Sequence, residues 1–177
     1  MLSERGSALI FTLMVILILS VLAVAILEIT ITNYKISYAY ANSISATYAA
    51  EAGLEKAKSE FNSDLLNTLS NIARTKINAN AGKVSNEVLT QDIYRDIASY
   101  LQQNVFSKYP QTGYLGDNGQ KYTVKSISLD SNYVRMTYTI HIYAEGEYKN
   151  FKKEGYAQLI INLESLSPLT VSKWEIK

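Results

Sequence analysis

Polar and apolar positions fall into successive regimes along this chain. From Ser7 to Leu27 no residue carries a charge, and the only polar side chains are Ser7, Thr12 and Ser20. Wound as a helix, such a segment rises roughly 30 Å, about the thickness of a bilayer's hydrocarbon core. The chain beyond Leu27 is polar enough to live in water. The pattern predicts a membrane-inserted stem carrying a small soluble head.

The helical period continues past Leu27. Ile31, Tyr34, Tyr38, Ala41, Ser45, Tyr48 and Ala52 recur in steps of three and four, which places them in one stripe. Lys35, Asn42, Thr47, Glu51 and Glu55 fall on the opposite side. The expectation is a helix over 7–61, roughly 80 Å long by its rise per residue, with the stripe packed on the head or on neighbouring copies. The β-branched cluster Ile29–Thr32 is its expected soft point. Two further helices are predicted. One is short, spanning Asp64–Ala73, and is broken at Ala79–Lys83. The other opens at Ser85 or Asn86, carries Leu89, Ile93, Ile97, Leu101 and Val105, and ends at Lys108-Tyr109-Pro110. Gly113 and Gly116–Gly119 read as turns rather than a calcium loop, because the acidic spacing is not that of an EF-hand.

From Lys121 the period becomes two. Tyr133–Ala144 sets Val134, Met136, Tyr138, Ile140 and Ile142 on one face, and Tyr156–Leu163 does the same with Ala157, Leu159, Ile161 and Leu163. A turn at Lys149-Asn150 matches these rows by pairing Ile142 with Ala157, Ile140 with Leu159 and Tyr138 with Ile161. Gly146 then reads as a bulge or flexible site. A turn at Asp130-Ser131-Asn132 would pair Tyr122 with Ile140 and Val124 with Tyr138. The result is an antiparallel meander covered by the distal half of the long helix and by the Ser85 helix. Residues 170–176 offer an edge strand that carries Trp174, read as a core or edge-cover residue.

Composition narrows the function more than it defines it. A net charge of +1 gives no electrostatic case for nucleic-acid binding. With no cysteine and a single histidine, His141, on the polar face of a strand, neither a disulfide nor a typical zinc site is expected. No nucleophile elbow, phosphate loop or dinucleotide fingerprint appears. Asp92 and Asp96 lie one turn apart on a polar helix face, the usual place for solvated carboxylates. No enzyme and no cofactor is expected. Arg5 before the apolar run and Lys35 as the first cation after it favour a cytoplasmic amino terminus and an external head.

The boundary Arg5-Gly6, the uncharged helix behind it, and Tyr48-Ala49-Ala50-Glu51-Ala52-Gly53-Leu54-Glu55 resemble the amino-terminal region of PilX-type minor pilins, within the wider type IV pilin class. The resemblance covers roughly the first sixty residues. It implies an α+β, type IV pilin-like fold with a prepilin leader at 1–6, a spine helix at 7–61 (membrane-spanning over 7–27) and a soluble head at 62–177. It also implies prepilin-peptidase processing between Gly6 and Ser7, with Ala50, Glu51, Ala52, Gly53 and Leu54 as the family motif. Major pilins carry a glutamate where this chain has Phe11, so the resemblance is to tip-located members. The expected role is a minor pilin that primes pilus assembly or mediates adhesion. Its partners would be the prepilin peptidase, other pilins through the helix, and membrane lipid before assembly. A competence or secretion pseudopilin and a membrane-tethered binding module are the rival readings.

Overall fold

No proline precedes Pro110, and glycine interrupts the first sixty residues only at Gly6 and Gly53, so little in the sequence stops a helix there. In the computed structural model α1 runs Leu2–Ser59 as one helix of 58 residues. The structure describes residues 2–80, 83–131, 136–165 and 168–177, with side chains from residue 6 onward. Contacts divide the chain into two units, Met1–Ala41 and Asn42–Lys177.

The first unit is helix alone. The expected soft point at Ile29–Thr32 is regular helix. Thr30 is accommodated by donating its hydroxyl to the Ile26 carbonyl at 2.8 Å.

The second unit begins with the last turns of α1. It continues with α2 (Ser63–Asn80), α3 (Asn86–Asn104), a short 3-10 turn (Phe106–Lys108) and five strands: β1 (Gln111–Leu115), β2 (Gln120–Leu129), β3 (Thr137–Tyr148), β4 (Phe151–Asn162) and β5 (Leu169–Ile176). The strands form one antiparallel meander in the order β1-β2-β3-β4-β5. Caps set the helix starts. Asn62 Oδ1 accepts from the Leu65 amide at 3.0 Å, and Ser85 Oγ from the Val88 amide at 3.4 Å. One face of the sheet is covered by the end of α1 together with α2 and α3, which contribute Leu54, Leu69 and Ile97 to the core, each with no exposed surface. Burying a side chain of that size stabilises the fold by about 1.5–3 kcal/mol.

The β3–β4 hairpin has the expected register. Ile142 faces Ala157, Ile140 faces Leu159 and Tyr138 faces Ile161, around a turn in which Lys149 takes a φ of 52°. The β2–β3 register differs from the expectation. Leu129 pairs with Ile140, Ile127 with Ile142 and Val124 with Ala144, with a bulge between Val124 and Ser126. The connection between these strands is longer than a three-residue turn, so each β2 residue meets a partner further along β3. The bulge at Lys125 then brings Val124 and Ile127, three apart, onto the same buried face. Of the expected β3 start, residues 133–135 lie outside the described residues, as does Asn132 of the expected turn.

Gly146 is no bulge: it pairs with Lys153 on one side and Tyr122 on the other. The helix predicted over Asp64–Ala73 continues to Asn80, and the turn cluster after Pro110 contains β1, paired with β2 around Gly116 and Gly119, both at positive φ. The stripe on α1 is also corrected. Tyr34, Tyr38 and Tyr48 are exposed, whereas Asn42, assigned to the polar side, is buried. The face that packs consists of Ala46, Ala49, Ala50, Gly53, Leu54 and Ala57. Close approach of helix to sheet favours small side chains, which outranks tyrosine's larger apolar area here.

Candidate functional site

The residues singled out from sequence fall in both units. Gly6, Ser7 and Phe11 belong to the first, and Ala50–Leu54 to the second.

In the first unit the helix is apolar and long enough to cross a membrane, and none of its most apolar window is buried. Its hydroxyls are satisfied within the helix. Thr12 donates to the Ala8 carbonyl at 2.6 Å, and Ser20 donates to the Ile16 carbonyl at 2.8 Å. This local bonding removes the cost of a bare hydroxyl in hydrocarbon. Phe11 is 69% exposed, so an aromatic side chain stands where a charge would have interrupted the apolar surface. Gly6 sits inside α1 with no positive φ, and a Cβ there would have nothing within 4 Å. Glycine costs about 1 kcal/mol against alanine in a helix, and among the described residues no contact offsets that cost here.

In the second unit three glycines lie where helix and sheet approach closely. A Cβ on Gly146 would run into the Ala46 carbonyl oxygen and the Ala50 amide nitrogen. A Cβ on Gly53 would lie 3.1 Å from that of Ala144, and one on Gly155 would lie 3.1 Å from Leu54 Cδ1. The motif Ala50–Leu54 is therefore divided in role. Ala50, Gly53 and Leu54 are buried against the sheet, while Glu51 and Ala52 are only half-buried. The partners of this seat, Gly146 and Gly155, were missed as functional positions. The signal was present in their phase. Gly146 continues the inward row Tyr138, Ile140, Ile142 and Ala144, and Gly155 begins the row Ala157, Leu159 and Ile161. A glycine in phase with a core row marks a place where another backbone comes close.

Residues 5–55 match the PilX N-terminal family. The amino-terminal region is that of a PilX-type, type IV pilin-like protein. The matched residues take in Gly6, Ser7, Phe11 and the whole of Ala50–Leu54. The PilX-type segment thus covers the exposed apolar helix and all of the seat up to Leu54, and it ends where the rest of the head begins. No curated protein and no solved structure matches the chain.

Several titratable residues of the second unit are paired at the surface. Lys125 lies 2.9 Å from both Glu145 and Glu154, and Glu145 also meets Lys152 at 3.2 Å. The hydrogen bond from Lys125 holds the Glu145 carboxyl below its ordinary range, against an opposing effect of burial. Asp96 accepts from Lys76 of α2 at 2.7 Å, and Asp92 lies 3.7 Å from Arg95. His141 shares a 2.8 Å hydrogen bond with the Tyr156 hydroxyl and has Asp130 at 3.5 Å from its other nitrogen. Trp174 packs against the core from β5, with the Lys58 ammonium 5.6 Å from its ring centre. Among the described residues no group of three or more His, Cys, Asp or Glu is arranged to hold a metal.

Proposed function

We propose that this chain is a minor type IV pilin, a structural subunit at or near the filament tip that primes assembly or presents its head for adhesion. The observation that carries this reading is one helix, α1, whose uncharged run Ser7–Leu27 is exposed and whose last turns are tightly seated in the head. Such a helix suits a subunit stored in a membrane and later withdrawn into a filament, where apolar helices pack on one another. The unexplained glycine at Gly6 supports recognition by a prepilin peptidase, which would cut before Ser7 and leave the leader behind. Before assembly the helix would lie in lipid with the head outside. Phe11, in place of an acidic residue, cannot pair with a neighbour's amino terminus, which favours a rare position over that of the repeating subunit.

Deletion of the gene with analysis of sheared filaments tests the reading. The expected result is that filaments contain the chain at low abundance and that piliation falls sharply without it. A chain that stays with the membrane fraction, together with unchanged piliation after deletion, contradicts it.

A further inference from the structure

The outer face of the sheet, turned away from the helices, carries a built cavity that plays no part in the seat of α1. Tyr143 of β3, Tyr156 of β4 and Glu175 of β5 lie in one cross-strand row. The two tyrosine rings are 5.0 Å apart at an angle of 44°, so they form two walls of an open V rather than a flat stack. The cavity, of about 360 Å³, is completed by Glu154, Lys173 and Lys177. That volume lies at the small end of the range for ligand sites, about 300–1,000 Å³.

One wall is fixed, and the other leans on it. Tyr156 is held through its hydroxyl by His141, whose ring also stacks on it at 6.0 Å, and Asp130 braces the far side of the imidazole at 3.5 Å. Residue Lys177 is tied to β4 by a reciprocal backbone pair, Lys177 N to Glu154 O at 2.8 Å and Glu154 N to Lys177 O at 3.0 Å. A ring locked by a second layer of hydrogen bonds, as Tyr156 is, gives the cavity one wall whose geometry is set before the ligand arrives.

The rim selects the ligand class. Two carboxylates, Glu154 and Glu175, and two ammonium groups, Lys173 and Lys177, line the cavity, so its side chains carry no net charge, and Glu154 is paired on its outer side with Lys125. Lys173 is already paired with Glu175 at 3.0 Å and sits 5.4 Å from the Tyr156 ring centre. A polyanion or polycation gains little from such a rim. A ligand with an apolar face for the rings and many neutral hydroxyls for the mixed donors and acceptors satisfies every element of it. We infer that this cavity binds a neutral hexopyranose, one sugar residue of a surface polysaccharide. The ring's C–H face lies on Tyr143, and its hydroxyls reach Glu154, Glu175 and Lys173. The site belongs to the head alone and stands whether or not the chain enters a filament.

The test is isothermal titration of the full chain in detergent micelles with free glucose, galactose, mannose and N-acetylglucosamine, with choline and glycerol as non-sugar probes. At least one sugar is expected to bind saturably, with Tyr143→Ala weakening it about tenfold and Tyr143→Phe staying within about twofold. Tyr143 is 46% exposed, and chemical denaturation checks that its variants fold. No saturable binding of any of the sugars, binding of choline or glycerol in their place, or equal affinity in Tyr143→Ala overturns the inference.

Discussion

Gly146 of β3 crosses α1 directly over Ala46, with no room between the two for a methyl group. Helix and strand are in backbone contact there, and the obstacle is the Ala46 carbonyl rather than a side chain able to rotate away. Gly146→Ala is therefore expected to destabilise the head by about 3 kcal/mol, the upper part of the usual overpacking range. Gly155→Ala meets the Leu54 side chain, its Cδ1 at 3.1 Å and Cγ at 3.2 Å, with the nearest backbone atom at 3.6 Å, and should cost less, about 1 kcal/mol. Urea denaturation of both variants checks the order; equal midpoints would refute the backbone contact.

Among the described residues the buried Tyr109 hydroxyl has no hydrogen-bond partner. Burial, with the Glu60 charge adding to it, pushes its pKa up to about 12. A buried donor without an acceptor lowers stability, so Tyr109→Phe should be neutral or stabilise the head by about 1 kcal/mol. A loss of stability in that variant would show that the hydroxyl has a partner in solution.

Glu145 links stability to acid pH. Its carboxyl is held below the ordinary range, chiefly by the hydrogen bond from Lys125. The folded state therefore binds this proton less readily than the unfolded state does. The stabilisation is fully present above the ordinary glutamate value of about 4.3 and fades as pH falls through the lowered one. The pairing is at the surface, so Glu145→Gln is expected to cost only about 0.5 kcal/mol near neutrality. Stability curves of wild type and variant should converge as pH falls below the ordinary glutamate value.

Much of this architecture is legible in the sequence because periodicity and turn chemistry report on local structure. Rows of alternating apolar residues and the Lys149-Asn150 turn were enough for the β3–β4 register, since a one-residue slip would have exposed Ile140 and Ile142. The β2–β3 register was not legible, because a bulge at Lys125 and a longer connection shift the partners without changing the alternation on β3. The packing face of α1 was misread for a different reason. Apolar area points to Tyr34, Tyr38 and Tyr48, whereas close approach to a sheet selects Ala46, Ala49, Ala50 and Gly53. Only the partner surface, with Gly146 and Gly155 in phase with the core rows, distinguishes the two. Gly6 stands out in the sequence by its place directly before the apolar run. Its lack of any packing role emerged from the structure.

The claim that α1 is a removable-leader spine is tested most directly at the amino terminus. Mass spectrometry of the chain from cells with and without a prepilin peptidase should show loss of Met1–Gly6 and a new terminus at Ser7 only when the peptidase is present. Gly6→Leu should keep the full leader in either background while leaving the fold unchanged, since nothing lies within 4 Å of that position. An intact Met1 on the wild-type chain in cells that carry the peptidase would contradict the account.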